Sequence, residues 1–142
     1  MLDTSALVKL YYPEPGSERI ETWVEESSIS YISRLAVIEF HSALYRKYRE
    51  NELNEDDLNG IKETFKNDID NTQYEIIEIE EQLPQQAIEL IMKYGKNQGI
   101  KTLDALQVAF AEKAEDFTFV TSDKNLIKIL KQLNIDIANP ED

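Results

Sequence analysis

Apolar residues recur along this chain at two different spacings, and their alternation predicts how it folds. In the longer stretches an apolar residue returns every three or four positions, which is the period of a helix with one buried face. Between these stretches lie short runs that are apolar or alternate with polar residues, as strands do. Helices are predicted at residues 6–12, 17–25, 34–48, 55–69, 80–94, 103–115 and 123–132, and strands at residues 28–33, 74–79, 117–120 and 136–137.

The order of these elements predicts the class of fold. Strands alternate with helices throughout, which favours an α/β protein, a three-layer α/β/α sandwich with a central, mainly parallel sheet. The opening residues are typical of a strand end that turns directly into a helix. Only two residues precede Asp3, whereas a strand usually has ~5–6, so either the native start lies upstream or the central strand is short. Without any linker or repeat, residues 1–142 are predicted to form a single domain.

Four acidic residues stand where a surface acid is not expected. Asp3 and Asp123 each follow a predicted strand, and Asp104 lies in the first turn of an apolar helix. Glu39 interrupts the middle of helix 34–48, which is apolar nearly all round and is therefore predicted to be buried. Because an unpaired buried carboxylate is costly, Glu39 needs either an arginine partner or a functional role.

Each acid also has a purely structural interpretation when it is taken alone. Asp is among the preferred residues at the N-cap of a helix, which suits Asp3. Asp104 and Asp123 would stabilise the dipoles of their helices by roughly 0.3–1 kcal/mol. Taken together, the acids indicate a shared site, because Asp3 and Asp123 both follow strands of a parallel sheet. The carboxyl ends of such strands meet at one edge, and ligands bind in the crevice outside it.

Convergence of these carboxylates would be unfavourable unless something neutralised them. At ~5 Å and an effective dielectric constant of ~20, each pair of like charges costs about 3 kcal/mol. A divalent cation removes this cost, and oxygen ligands suit Mg²⁺ or Mn²⁺. Such an ion polarises a phosphoryl oxygen and lowers the pKa of a bound water. The acids therefore predict a metal site with the chemistry of phosphodiester hydrolysis.

Composition and charge narrow the classes of function. The chain contains no cysteine, which excludes structural disulfides and thiolate zinc sites. Its only histidine, His41, lies on an apolar helix and is predicted to pack in the core. No apolar run approaches the ~18–20 residues of a membrane span, and a cytoplasmic location is expected. The formal net charge of −13 predicts repulsion of polyanions over most of the surface, and it favours either a local divalent cation or a basic partner protein.

Four short motifs resemble those of a known family. Residues 2–10, LDTSALVKL, are similar to the opening motif of PIN-domain proteins, especially the VapC-type toxins of bacterial and archaeal toxin–antitoxin pairs. Residues 34–40, RLAVIEF, residues 102–109, TLDALQVA, and residues 120–126, VTSDKNL, resemble the second, third and fourth motifs of that family. The motifs occur in the family's order and span nearly the whole chain.

The resemblance implies a metal-dependent endoribonuclease with a PIN-like fold. The catalytic and metal-binding residues, holding Mg²⁺ or Mn²⁺, would be Asp3, Glu39, Asp104 and Asp123. The residues that assist the acids or position the RNA substrate would be Ser5, Thr121 and Arg34. The resemblance also implies a homodimer, and an antitoxin protein whose basic side chains cover or enter the acidic site.

Two other hypotheses are compatible with the sequence. A non-catalytic PIN-like binding module would keep an acidic cleft for a basic partner protein, and a phosphatase-like fold would hydrolyse small phosphomonoesters. Loss of RNA cleavage in a folded Asp104→Asn variant would separate a nuclease from the binding module. The local candidates for RNA contacts are the basic residues near the motifs, Arg34, Arg46, Lys47, Arg49, Lys101 and Lys124.

Overall fold

The computed structural model describes residues 1–113 and 116–142. Its helices are α1 (Thr4–Lys9), α2 (Ser17–Glu26), α3 (Arg34–Arg49), α4 (Glu55–Asp70), α5 (Leu83–Gln98), α6 (Thr102–Lys113) and α7 (Lys124–Gln132). Its strands are β1 (Tyr31–Ser33), β2 (Glu75–Ile77), β3 (Phe119–Val120) and β4 (Ile137–Ala138). Each predicted helix and strand is present, although the first three strands are shorter than predicted. Within the described residues, no helix combines the length and the apolar character that a membrane crossing requires.

The strands form a parallel sheet whose centre is a single residue. β1 pairs with β2 and β3 pairs with β4, both in parallel. Leu2 joins the two halves, because it makes one parallel bridge to Ile32 of β1 and another to Val120 of β3. The spatial order is therefore β2, β1, Leu2, β3 and β4. Leu2, bridged on both sides, therefore takes the central position of the sheet.

Helices cover both faces of this sheet, because successive side chains of a strand point to opposite faces. Leu2, Ile32 and Val120 pack into a core formed with α1, α2, α3 and α4. Ile77 and Phe119 pack into a second core formed mainly with α5, α6 and α7. The predicted three-layer α/β/α sandwich with a parallel sheet is confirmed.

The prediction that α3 is buried all round is wrong. Ile38 and Tyr45 of this helix are 57% and 43% exposed. The helix belongs to an outer layer, so only the face that carries Phe40 and Leu44 reaches the core. This leaves a second face of α3 free to border a surface cleft.

The loop before α2 depends on a glycine. The sequence favours Ser17 as the cap of this helix, but the N-cap is Gly16, and the Ser17 hydroxyl donates instead to the Lys9 carbonyl at 2.8 Å. Gly16 has a φ of +91°, and a Cβ at this position would lie 2.9 Å from the carbonyl oxygen of Pro140. The loop therefore packs closely against the C-terminal part of the chain, and any larger residue would separate them.

The bounds of α5 and α6 also differ from the prediction. α5 begins at Leu83, continues through Gly95 and ends at Gln98, where Gly99 caps it with a left-handed φ of +59°. α6 begins at Thr102, one residue before its predicted start. The predicted end of α6 at residue 115 lies outside the described residues.

Candidate functional site

A cleft of about 700 Å³ opens beside the carboxyl edge of the sheet. α1, α3, α6 and the start of α7 line it. All four predicted acids are among the lining residues, namely Asp3, Glu39, Asp104 and Asp123. The fold therefore brings residues from both ends of the chain to one space.

Asp3 directly follows the central residue of the sheet and is buried. Its Oδ1 accepts hydrogen bonds from the Ala6 backbone N–H and from the Ser5 hydroxyl, both at 2.8 Å. Its Oδ2 accepts one from the Thr121 hydroxyl at 2.5 Å. Asp3 thus caps α1, and the same carboxylate also borders the cleft.

The pKa of Asp3 lies above its ordinary value. Burial is the largest cause, because removal from water disfavours the charged form. Hydrogen bonds from Thr121, Ala6 and Ser5 lower the pKa but do not cancel this effect, and the carboxylate of Asp123 raises it further. The ionised form of Asp3 is therefore destabilised by its surroundings.

Thr121 links the two acids that follow strands. Its hydroxyl accepts a hydrogen bond from the Asp123 backbone N–H at 3.0 Å and donates to Asp3. Asp123 in turn caps α7, because its Oδ1 accepts from the backbone N–H groups of Asn125 at 2.7 Å and Leu126 at 3.2 Å. Asp3 and Asp123 therefore belong to one hydrogen-bond network.

Glu39 projects from α3 and is half-buried. Its Oε1 accepts a hydrogen bond from Nε2 of Gln107 at 3.0 Å, which joins α3 to α6. Burial raises the pKa of Glu39, the neighbouring Thr4 hydroxyl and the hydrogen bond from Gln107 lower it, and the carboxylates of Asp3 and Asp104 raise it. The net effect raises the pKa of Glu39 above its ordinary value. The partner of Glu39 is thus a neutral amide and not an arginine.

Asp104 lies in the first turn of α6 and is half-buried. Its Oδ2 accepts a hydrogen bond from the Lys101 backbone N–H at 3.2 Å, which satisfies a free donor at the start of the helix. Its charge also raises the pKa of Glu39. The four acids therefore form a chain of electrostatic neighbours, from Asp123 through Asp3 and Glu39 to Asp104.

The three residues predicted to assist the acids or the substrate lie in different places. Ser5 lines the cleft. Thr121 is fully buried, and its hydroxyl donates to Asp3 and accepts from the Asp123 backbone N–H, so it contacts two of the acids. Arg34 is not among the cleft residues, and its Nε and Nη2 bind the carboxylate of Glu78 at 2.9 and 2.5 Å. The fold brings Ser5 and Thr121 to the acids but leaves Arg34 outside the cleft.

The cleft offers oxygen ligands without enclosing an ion. Within residues 1–113 and 116–142, no three acidic or histidine side chains stand close enough together to hold a metal ion between them. The cleft nevertheless presents carboxylate, hydroxyl and amide oxygens, which suit Mg²⁺ or Mn²⁺ rather than softer metals. Mg²⁺ usually keeps several waters and binds through one or two carboxylates. This open arrangement fits a hydrated ion better than a closed protein cage.

Basic residues border the cleft and fall into two groups. Arg46, Arg49 and Lys101 are exposed, and in the described part of the chain they form no ion pair. Lys47 is buried, and its Nζ binds two carboxylates at 2.6 and 3.0 Å. Lys124 is exposed and is not a lining residue. The rim of three free cations, Arg46, Arg49 and Lys101, is therefore the part of the cleft suited to phosphates.

Thr4 and Gln107 also line the cleft, although neither is a predicted site residue. Gln107 lies three positions after Asp104 on α6, and residues at this spacing share a helix face. That spacing, together with the polar side chain in an otherwise apolar helix, is the pattern that indicates its place. Thr4 follows Asp3 directly and has no comparable signature.

Comparison with known proteins places the chain in a structural context. The family model of the PIN domain matches residues 1–131, whereas no curated protein matches the sequence significantly. The crystal structure of FitAcB from Neisseria gonorrhoeae superposes with a TM-score of 0.72 and 22% identity, over 98% of this chain and 96% of that chain. The crystal structure of VapBC2 from Rickettsia felis, bound to a DNA fragment from their promoter, superposes with a TM-score of 0.63 and 22% identity, over 98% of this chain and 96% of that chain. A toxin-antitoxin complex from Klebsiella pneumoniae superposes with a TM-score of 0.62 and 16% identity, over 98% of this chain and 95% of that chain. Identities this low support a shared fold.

Proposed function

Because the chain belongs to the PIN-domain family, we propose that it is a metal-dependent endoribonuclease, the toxin of a type II toxin–antitoxin pair. The observation that carries this proposal is the cleft, where four carboxylates from separate parts of the chain border one space. Burial and neighbouring carboxylates raise the pKa of Asp3 and of Glu39. Such a set is unfavourable alone and favourable around a divalent cation.

The four acids are the residues that would hold Mg²⁺ or Mn²⁺, directly or through water. When bound, the ion supplies positive charge to the phosphate and makes a water molecule more acidic. Asp3 is held in place by hydroxyl and backbone donors. Glu39 borders the same space from α3 and would accept a proton from the attacking water. The water oxygen would bond to phosphorus while one P–O bond to ribose breaks, and the departing ribose oxygen would take up a proton from solvent, which leaves one phosphate end and one hydroxyl end.

The substrate strand would lie along the rim of free cations. Arg46 and Arg49 lie on α3, and Lys101 precedes α6, so they border the acids on two helices. Phosphate contacts from Arg and Lys fix a nucleic acid in register without reading its sequence. The rim therefore gives a protein with a net charge of −13 a local surface for RNA.

The proposed partner is an antitoxin protein. One of the structural neighbours is described as a toxin-antitoxin complex, and the acidic cleft suits a segment carrying Arg or Lys. We further propose that the protein forms a homodimer. Copurification with the product of a neighbouring small gene, followed by light scattering of each species, tests both statements.

A non-catalytic binding module is the second candidate. It is favoured by the absence, within the described residues, of a preformed group of three metal-binding side chains. In that case the cleft would hold a basic partner protein without cleaving RNA. The same acids would then contribute to affinity for the partner and not to any reaction.

The deciding experiment measures cleavage of varied RNA substrates by the purified protein in Mg²⁺, in Mn²⁺ and in EDTA. We expect cleavage that requires the cation and that is lost in Asp3→Asn. The matched control is Glu21→Gln, which removes one exposed carboxylate on α2 away from the cleft. Absence of cleavage by a folded, cation-loaded protein would favour the binding module. Cleavage that persists in EDTA would exclude a metal-dependent mechanism.

A further inference from the structure

Gln107 lines the cleft, and half of its side-chain amide has no hydrogen-bond partner among the described residues. Its Nε2 donates to Glu39. Its Oε1 is buried, and no hydrogen-bond donor within the described residues reaches it. Native proteins rarely leave a buried acceptor unsatisfied, so this oxygen requires a specific explanation.

The orientation of this amide is fixed by chemistry. A carboxylate without its proton only accepts hydrogen bonds, so the group facing Glu39 must be the NH₂ of Gln107. Oε1 is then turned away from Glu39, in a side chain that itself lines the cleft. Exchange of the two amide ends would place oxygen against oxygen. The free acceptor is therefore a consequence of the contact with Glu39.

The missing donor is best supplied by water bound to a cation. The acids around Gln107 do not enclose an ion, so an ion in the cleft keeps part of its hydration shell. Waters in that shell are strong donors, because the cation polarises them. An amide oxygen beside a metal-binding carboxylate is a natural acceptor for one of them.

We propose that Gln107 is a positioning residue of the cation site, which holds Glu39 through Nε2 and accepts a hydrogen bond from a cation-bound water through Oε1. The proposal rests on the cation site of the proposed function. Gln107 acts through Glu39 and through water, so it changes how tightly the cation is held and contacts no reacting atom.

The test is calorimetric titration of Mn²⁺ into the full-length protein, with Gln107→Met as the variant. Met preserves the length of the side chain and removes both hydrogen-bonding groups. Outer-shell partners of metal ligands typically contribute about 10–100-fold to affinity, so we expect the Kd for Mn²⁺ to rise by about tenfold. The control is Gln86→Met on α5, because Gln86 also has a buried Oε1 without a partner but lies outside the cleft. The Kd of Gln86→Met for Mn²⁺ should equal that of the wild type.

A second variant separates positioning from packing. Gln107→Glu keeps an oxygen acceptor toward the cation but places a carboxylate against Glu39. We expect it to bind Mn²⁺ at least as tightly as the wild type and to gain more thermal stability from Mn²⁺. Binding as weak as that of Gln107→Met would overturn the role of Oε1.

The outcomes distinguish this proposal from the proposed function. Wild-type protein that binds Mn²⁺ with the same Kd as Gln107→Met would overturn the role of Gln107 and leave the cation site intact. Wild-type protein that binds no Mn²⁺ at all would overturn the site itself. A rise in Kd for Gln107→Met but not for Gln86→Met supports the assignment.

Discussion

Two clusters of charged side chains lie beside each other in this protein, and only one contains its own counter-charges. The lysine cluster consists of Lys9, Lys47, Glu14, Glu52 and Glu141. In it, every carboxylate has a lysine Nζ within 2.6 to 3.5 Å. The acidic cluster is the set of four cleft carboxylates, Asp3, Glu39, Asp104 and Asp123. Among the described residues, no ion pair reaches any of them.

In the lysine cluster, two ammonium groups are shared among three carboxylates. The side chains of Lys9 and Lys47 are 5% and 8% exposed, and Glu14 lies between them, bound to both. Lys9 also donates to the Pro15 carbonyl at 2.9 Å, and Lys47 lies 4.0 Å from the centre of the Tyr12 ring. The cluster connects α1, α3 and the C-terminal residues, so its role is to hold the fold together.

The shifts in pKa show the same difference. In the lysine cluster, hydrogen bonds to Lys47 and to Lys9 lower the pKa of Glu52 and of Glu141. In the acidic cluster, burial raises the pKa of Asp3 and of Glu39. Removal of one partner from a buried ion pair is destabilising, whereas unpaired carboxylates with raised pKa values in a cleft mark a candidate functional site. The comparison therefore supports the acidic cluster as the candidate functional site.

Among substitutions in the two clusters, Asp104→Asn should have the largest effect. Loss of a residue that only supports a metal ligand already costs about 10–100-fold in activity or affinity, so loss of a ligand should reduce RNA cleavage by more than about a hundredfold. Folding should persist, because Asn retains an oxygen for the Lys101 backbone N–H. The rate at fixed Mg²⁺, with circular dichroism as the folding check, tests this. A rate within a few-fold of wild type would remove Asp104 from the site.

Lys47→Met should break the lysine cluster and destabilise the fold. Removal of Lys47 takes a counter-charge from Glu14 and Glu52, whose side chains are 30% and 40% exposed and so stay partly solvated, and we expect the free energy of unfolding to fall by about 1–2 kcal/mol. Urea denaturation measures it. The control is Lys66→Met, whose side chain is 74% exposed in an ion pair with Asp70 on α4, and which should cost less than about 0.5 kcal/mol. Equal costs would contradict a structural role for the lysine cluster.

The two clusters should respond to pH with opposite sign. Folding raises the pKa of Glu39, so the folded state binds this proton more readily than the unfolded state. The stability of the metal-free protein should therefore fall as the pH rises from the ordinary value of Glu through the raised one. Urea denaturation in EDTA across this range tests it, and Glu39→Gln should flatten the curve. If Glu39→Gln leaves the slope of stability against pH unchanged, groups other than Glu39 cause that slope.

Acidification tests the lysine cluster in the same assay. The pKa of Glu52 is lowered by its hydrogen bond to Lys47, so its stabilising contribution is present above the ordinary pKa of Glu and is lost as the pH falls through the lowered value. Glu52 is exposed, and the effect should be small. Glu52→Gln should reduce the loss of stability at low pH and leave the slope at higher pH unaltered.

Arg46→Gln should have the smallest effect, limited to RNA binding. One phosphate contact to a single strand contributes about 0.7 to the slope of log K against log salt, so the slope should fall by about that amount. Fluorescence anisotropy with the Asp104→Asn protein as background, at several KCl concentrations, measures binding without cleavage. Lys128→Gln, an exposed position on α7 outside the cleft, should leave the slope unchanged. Equal slopes for both variants would remove Arg46 from the RNA surface.

The sequence predicts the acidic cluster well because each member follows from a local pattern. Asp3 and Asp123 follow strands, and parallel strands bring their ends to one edge, so their proximity needs no knowledge of packing. Glu39 and Asp104 are carboxylates within stretches of helix that are otherwise mostly apolar, so each is recognisable from its neighbours in the sequence. All four line one cleft in the structure, whereas their roles as metal ligands stay a prediction.

The lysine cluster could not be predicted from local patterns. Lys9 binds Glu141, which is separated from it by 132 positions, and no periodicity encodes such a contact. Lys47 is a candidate for RNA contact by sequence alone, because its burial depends on how α3 packs against the loop before α2. Arg34 likewise depends on Glu78, which only the pairing of β1 with β2 brings close. Surface charges acquire their roles through tertiary packing, which the sequence does not display.

Calorimetric titration of Mn²⁺ tests most directly the claim that the acidic cluster is neutralised from outside. Wild type, Asp104→Asn and Lys47→Met are compared at a pH at which the carboxylates are ionised. We predict saturable binding to wild type and to folded Lys47→Met, and at least a tenfold higher Kd for Asp104→Asn. Binding that is equally tight in Asp104→Asn, or absent from the folded wild type, would contradict the claim.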